Sequence, residues 1–189
     1  KLVTPTAVHG ENGMSKTVHL TGVERTFEED ETIVSKTDLK GHITYANDVF
    51  IRVSGFSEEE LYGQPHNIIR HPEMPRCVFK LLWDTVAEGG EIFAYVINRC
   101  KNGDHYWVFA HVTPSYAKDG SINGYHSSRR VPNPLALEKV KPLYARLLEE
   151  EGRFPNRKEG MHSATDLLGH IVEKQGTSYD KLVFSLQTL

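Results

Sequence analysis

The chain has 189 residues, a hydrophobic fraction of 39% and a net charge of −3 at neutral pH. That length suits one compact domain with an appendage, and the weak negative charge gives no electrostatic footing for nucleic acid or an anionic membrane surface. No window approaches the roughly 20 apolar residues of a membrane-spanning helix, no secretory signal opens the chain, and two cysteines, Cys77 and Cys100, fit a reducing, cytoplasmic setting better than a disulfide framework.

From the N-terminus, Met14 is a candidate natural start, which makes residues 1–13 a leader acquired in cloning with no function assigned to them. Residues 14–30 show no clear period and read as an N-terminal cap. "TIVSKTDLKGHITYAN" then holds two short β-branched runs around a turn signal at Asp38 and Gly41, the pattern of a hairpin. "NDVFIRVSG" predicts a short helix with Val49, Phe50 and Val53 on one face, stopped at Gly55. "SEEELYG" is a Ser-capped helical turn ending at Gly63.

"PHNIIRHPEMPR" follows, with three prolines, two histidines and two arginines. Pro72 and Pro75 keep the residues before them out of the helical region, so the loop is stiff and its polar side chains are aimed. It reads equally well as a clamp for a polar ligand and as a rigid surface connection. Pro75 suits the start of a helix, in which Phe79, Leu82, Trp83 and Val86 share a face and Gly89-Gly90 makes the stop.

Three strands come next, joined by turns at Asn102-Gly103 and Asp119-Gly120. Alternation puts Phe93, Tyr95 and Ile97 on one face, with Ile92, Ala94, Val96 and Asn98 on the other. Tyr106, Val108, Ala110 and Val112 share a face of the next strand. The order predicts an α+β domain: a five-stranded antiparallel sheet with short helices on one face and a small-ligand pocket between the layers. The domain should span 31–131, with 132–189 as a C-terminal helical extension. In that extension "LALEKVKPLYARLLEEE" is amphipathic, although Pro142 should kink or restart it. "EGRFPNRKEG" reads as a linker. "SATDLLGHIVEKQG" and "TSYDKLVFSL" read as a helix pair whose apolar stripes must pack on the sheet, on each other or on a partner.

Few residues carry chemistry by themselves. The stripe Phe79-Leu82-Trp83-Val86 is more often core than cofactor wall, though Trp83 serves both uses. Asn98 lies on an apolar strand face and needs partners if buried. A planar heteroaromatic ligand would supply them, as would backbone or water. Asn47 reads first as a helix cap. His66 and His71 do not have zinc spacing, a lone axial histidine could hold haem, and His66 reads as a surface residue. No nucleophile elbow, phosphate loop, dinucleotide fingerprint or metalloprotease motif is present, so the chain does not read as an enzyme.

Together "TDLKGHITYANDVFIRVSGFSEEELYGQPHN", "RHPEMP" and "KNGDHYWV", in that order, resemble the flavin-binding PAS domain of the bacterial aerotaxis receptor family. The likeness covers about 31–131 and extends into "EKVKPLYARL". The resemblance implies the PAS fold and non-covalent FAD. It implies sensing of oxygen or redox state in aerotaxis or energy taxis, a homodimer, and a chemotaxis receptor or signalling protein as output partner. Matching the family's flavin-binding positions are Asn47, Arg70, His71, Glu73, Phe79, Trp83 and Asn98; the family usually carries aspartate where this chain has Glu73. The cysteine that blue-light PAS proteins need in the helical region has no counterpart in "PHNIIRHPEMP". Neither a membrane anchor nor a long signalling coiled coil follows, and the last residues look like a natural finish, so a soluble stand-alone member is expected. A haem-binding gas sensor and a cofactor-free dimerisation module are the alternatives.

Overall fold

The computed structural model describes residues 19–187, so the expectations for the leader and the start at Met14 lie outside the described residues. The hairpin signal yields β1 (Ile33–Thr37) and β2 (Ile43–Ala46). α1 (Asp48–Ser54) begins at Asn47, whose side chain accepts the Phe50 N–H, and ends at Gly55 in the left-handed region. α2 (Glu58–Leu61) carries a capping box between Ser57 and Glu60. A 3-10 turn (His66–Ile69) and the proline-rich loop lead into α3 (Arg76–Ala87).

The three later strands are β3 (Ile92–Arg99), β4 (His105–Tyr116) and β5 (Ile122–Arg130). The sheet order is β2-β1-β5-β4-β3, every pairing antiparallel. In the β3–β4 register Asn98 stands opposite Tyr106, and Ala94 opposite Ala110, so the predicted faces coincide. The inner face meets α1 to α3. The N-terminal arm lies beside β4, where Arg25 donates its backbone N–H to the His105 carbonyl at 2.7 Å and its guanidinium pairs with Asp104 at 2.8 Å.

The C-terminal part forms α4 (Pro134–Gly152), α5 (Arg157–Lys174) and α6 (Tyr179–Gln187). It differs from the sequence expectation in two ways. α4 runs through Pro142 as one helix, because Val140, Tyr144 and Leu147 are buried on both sides of the proline and their packing outweighs one missing hydrogen bond. The expected linker is mostly helix: Gly152 still belongs to α4, and α5 begins at Arg157 because the Asn156 side chain accepts the Lys158 and Glu159 N–H groups. A Cβ at Gly160 would sit 2.2 Å from the Glu151 carbonyl oxygen, so a larger residue would force α4 and α5 apart.

α4 and α6 cover the outer face of β3 and β4. Tyr144 donates to the Tyr95 carbonyl at 2.5 Å, and its ring lies 5.9 Å from that of Trp107. Phe184 packs on Phe93 at 4.6 Å. A polar link between this layer and the inner one is Glu151, 6% exposed. Its carboxylate accepts the Cys77 N–H at 2.9 Å and Arg76 Nε at 3.1 Å. The α3 N-terminus, whose own N-cap Pro75 has no side chain to offer, is therefore capped from α4. Glu151→Ala strands a buried N–H and the Arg76 guanidinium and should cost about 1–3 kcal/mol. Urea denaturation should show a lower midpoint with an unchanged slope; an unchanged midpoint would show that the cap is dispensable.

Candidate functional site

Between α3 and the inner sheet face lies a cavity with about 510 Å³ of empty volume, its open mouth included. One wall is aromatic. Phe79 and Trp83 project from α3 one turn apart, their ring centroids 6.1 Å from each other, and Trp83 meets Tyr125 of β5 edge-on at 5.4 Å. Gly41 in the β1–β2 turn has φ +80°, and a Cβ there would lie 3.2 Å from the Trp83 ring. Glycine therefore both makes the turn and leaves the indole its place. Val96, Ala110 and Val112 form the apolar floor.

The polar atoms of the wall are not all satisfied. Asn98 Nδ2 and Thr37 Oγ1 are buried, without a hydrogen-bond partner, and belong to residues that line the cavity, whereas the guanidinium of Arg129 interacts with the Tyr106 hydroxyl. Buried donors in native proteins are almost always paired, and leaving one unpaired costs about 1–3 kcal/mol. Two around one cavity point to a ligand that presents hydrogen-bonding atoms along one edge.

Arg129 is 2% exposed. Its Nε donates to Ser127 Oγ at 3.0 Å, its Nη2 bonds Ser35 Oγ and lies 3.2 Å from His66 Nε2, and its guanidinium carbon sits 4.8 Å from the centre of the Phe50 ring. Burial first, and the Arg129 charge second, push His66 down to about 3. The ring is thus neutral at physiological pH and accepts from Arg129 through Nε2, which leaves its proton on Nδ1. The expected surface histidine is a wall residue of the cavity. Neither His66 nor Arg129 carried a sequence signal by type; alternation from Tyr125 through Ser127 would have put Arg129 on the inner face.

The seven residues singled out from sequence are divided by the structure. Phe79, Trp83 and Asn98 line the cavity. Arg70 stands beside it: its backbone bridges to Asn98 at the outer edge of β3, its guanidinium lies over the Phe79 ring at 5.2 Å, and Nη2 donates to the Met74 carbonyl at 3.1 Å. His71 and Glu73 lie where the loop rounds that edge. His71 Nδ1 accepts the Glu73 N–H at 3.2 Å, its ring packs near His105, and burial holds its basicity below the ordinary range. Glu73 lines a shallow groove on the other side of the sheet with Ile97, Trp107 and Tyr144. Asn47 is engaged in structure: Oδ1 accepts the Val34 and Phe50 N–H groups and Nδ2 donates to the Thr32 carbonyl. Cys77 does not line the cavity, and burial pushes its thiol up to about 12, which makes it a poor nucleophile. Among the described residues no cluster of three or more histidine, cysteine, aspartate or glutamate side chains could hold a metal ion, and no helix is long and apolar enough to cross a membrane.

Residues 43–129 match the family model described as PAS fold. This segment is a PAS domain. The chain is 43% identical to the aerotaxis receptor of Escherichia coli K12 over 134 residues, which are 71% of this chain and 26% of the receptor. It is 28% identical to the nitrogen fixation regulatory protein of Klebsiella pneumoniae over 103 residues, 54% of this chain and 21% of that protein. The chain thus spans about a quarter or less of the length of these relatives. Among solved structures, the light-state blue-light photoreceptor Aureochrome1 LOV shares the fold, with a TM-score of 0.50 at 21% identity over 62% of this chain and 91% of that one. The PAS domain is accordingly related in sequence to parts of proteins named as signalling receptors and regulators.

The neutral state of His66 is measurable. Long-range ¹⁵N NMR should show an unprotonated Nε2 down to about pH 4. Because the folded-state pKa is depressed below the unfolded one, stability should fall as the pH drops from about 6.5 towards 3. Titration of His66 near 6.5 in the folded protein would contradict the burial of this ring.

Proposed function

We propose that this PAS domain is a redox or oxygen sensor that binds FAD in the cavity between α3 and the sheet and acts as a signalling module rather than an enzyme. The observation that carries this reading is the convergence of two unpartnered buried polar atoms, Asn98 Nδ2 and Thr37 Oγ1, on an aromatic-walled cavity. A planar heteroaromatic ring with an edge of hydrogen-bonding atoms suits both the wall and the edge. When bound, flavin supplies a ring that takes up and releases electrons. The chain's own residues do the rest. Phe79 and Trp83 pack against the ring, and Asn98 bonds its polar edge through the unused amide hydrogens. Arg70 remains the candidate for the phosphate-bearing part, since a guanidinium offers several donors in a fork suited to phosphate. His71 and Glu73 shape the loop that carries Arg70, and Asn47 ties β1 to α1.

The relay follows from the same contacts. A ligand whose hydrogen-bonding edge changes alters what Asn98 can bond, and an amide can reverse its orientation. Such a change acts on α3 and β3. α3 is tied to α4 through Glu151, and β3 to α4 and α6 through Tyr95. We assign 31–131 as the sensor and 132–189 as the extension that reads it. A homodimer in the cytoplasm and a chemotaxis receptor or other signalling protein as output partner complete the reading. A signal requires that the two ligand states interact differently with these elements.

The purified protein should be yellow, with the two-banded visible absorption of oxidised flavin, and should release FAD on denaturation. Asn98→Ala should weaken FAD binding about tenfold, the equivalent of one buried hydrogen bond, and Trp83→Ala should weaken it more. A protein that stays colourless after reconstitution with FAD overturns the flavin reading, and a Soret band in its place indicates haem.

A further inference from the structure

A buried charge with no counter-charge is costly unless something answers it. Arg129 is such a charge. Among the described residues it makes no ion pair; its partners Ser35, Ser127, His66 and Tyr106 and the face of Phe50 are all uncharged. Tyr106, the nearby acidic hydroxyl, is pushed up by burial and stays neutral. The short surface ion pairs, such as Arg52 with Glu31, hold their cations against carboxylates in solvent, whereas here a buried cation lines the wall of the cavity. A carboxylate could have been placed there to neutralise it, and none is.

We propose that Arg129 is the counter-ion for negative charge gained by the bound ligand, so that it sets the reduction potential of the flavin by favouring an anionic reduced ring. This rests on the flavin reading. In the step concerned, two electrons from a reductant such as dithionite and one proton from solvent convert the neutral ring into a reduced ring carrying one negative charge. An opposite charge within about 4–6 Å favours the charged form, and charge near the ring nitrogens is an established lever on a flavin. His66, Ser35 and Ser127 position Arg129; they carry no charge of their own.

The test is a spectroelectrochemical titration of the FAD-loaded protein. In the wild type the midpoint should fall by about 30 mV per tenfold drop in proton activity, the slope of two electrons with one proton. In Arg129→Gln the affinity for the reduced form should fall at least tenfold relative to the oxidised form, which lowers the midpoint by about 30 mV. Arg129→Lys keeps the charge and should hold the midpoint closer to that of the wild type than Arg129→Gln does. A merely structural arginine would instead weaken folding and FAD retention in both Arg129 variants with no change in midpoint. A wild-type slope of about 59 mV, the value for two protons with two electrons, or an unshifted midpoint in an Arg129→Gln protein that retains FAD, overturns this inference and leaves the flavin reading standing. Should Arg129→Gln fail to fold, Arg129→Met supplies a second uncharged side chain of similar length, and an unshifted midpoint in that protein overturns the inference equally. A wild-type protein that takes up no FAD overturns both.

Discussion

The sheet of this protein is buried on both faces along β3 and β4, and most of the architecture follows from that. A strand sends successive side chains to opposite sides, so each face must find its own cover. The inner face, with Asn98, Val96 and Ala94, receives α3 and the cavity. The outer face, with Phe93, Tyr95 and Trp107, is closed by α4 and α6. The C-terminal helices are thus part of the fold's hydrophobic closure, and whatever perturbs β3 from the cavity side is felt on the side they cover.

Between the layers runs a second, polar connection. The proline-stiffened loop rounds the outer edge of β3, where Arg70 bridges to Asn98 and Arg99 donates to the Ile68 carbonyl at 2.8 Å. It then delivers α3, whose exposed N–H groups and positive end are met by the buried carboxylate of Glu151. A helix that walls the cavity is therefore capped by a residue of α4, a helix that packs on the other face of the sheet. Coupling between a cavity and an output surface needs a contiguous set of contacts with more than one arrangement, and this path supplies the contacts.

The cavity itself is defined as much by what is missing as by what is present. Its rings and apolar floor would suit many small molecules. The unpartnered amide of Asn98 and hydroxyl of Thr37 favour, in the proposed reading, a ligand with an ordered polar edge. Arg129 narrows it further, since its neutral neighbours leave the charge for something else to answer.

Much of this was legible along the chain. Periodicity located the strands, and in β3 and β4 the face each apolar residue takes, because backbone geometry imposes it locally. Gly55, the Ser57–Glu60 box and the Asn-Gly and Asp-Gly turns set their boundaries for the same local reason. The motifs around Arg70 and Asn98 fall beside and within the aromatic-walled cavity. Three things were not legible. α4 continues through Pro142 because tertiary packing on both sides overrides a local breaker. His66 and Arg129 meet across 63 positions of sequence, and no local pattern encodes that distance. His71 and Glu73 share a motif with Arg70, yet a loop that turns a sheet edge parts neighbours in sequence to opposite sides. Local structure was therefore determined by the sequence itself, through turn chemistry and alternation, whereas the membership of the site was decided only by the tertiary fold, because burial and partnership are properties of residues brought together from afar.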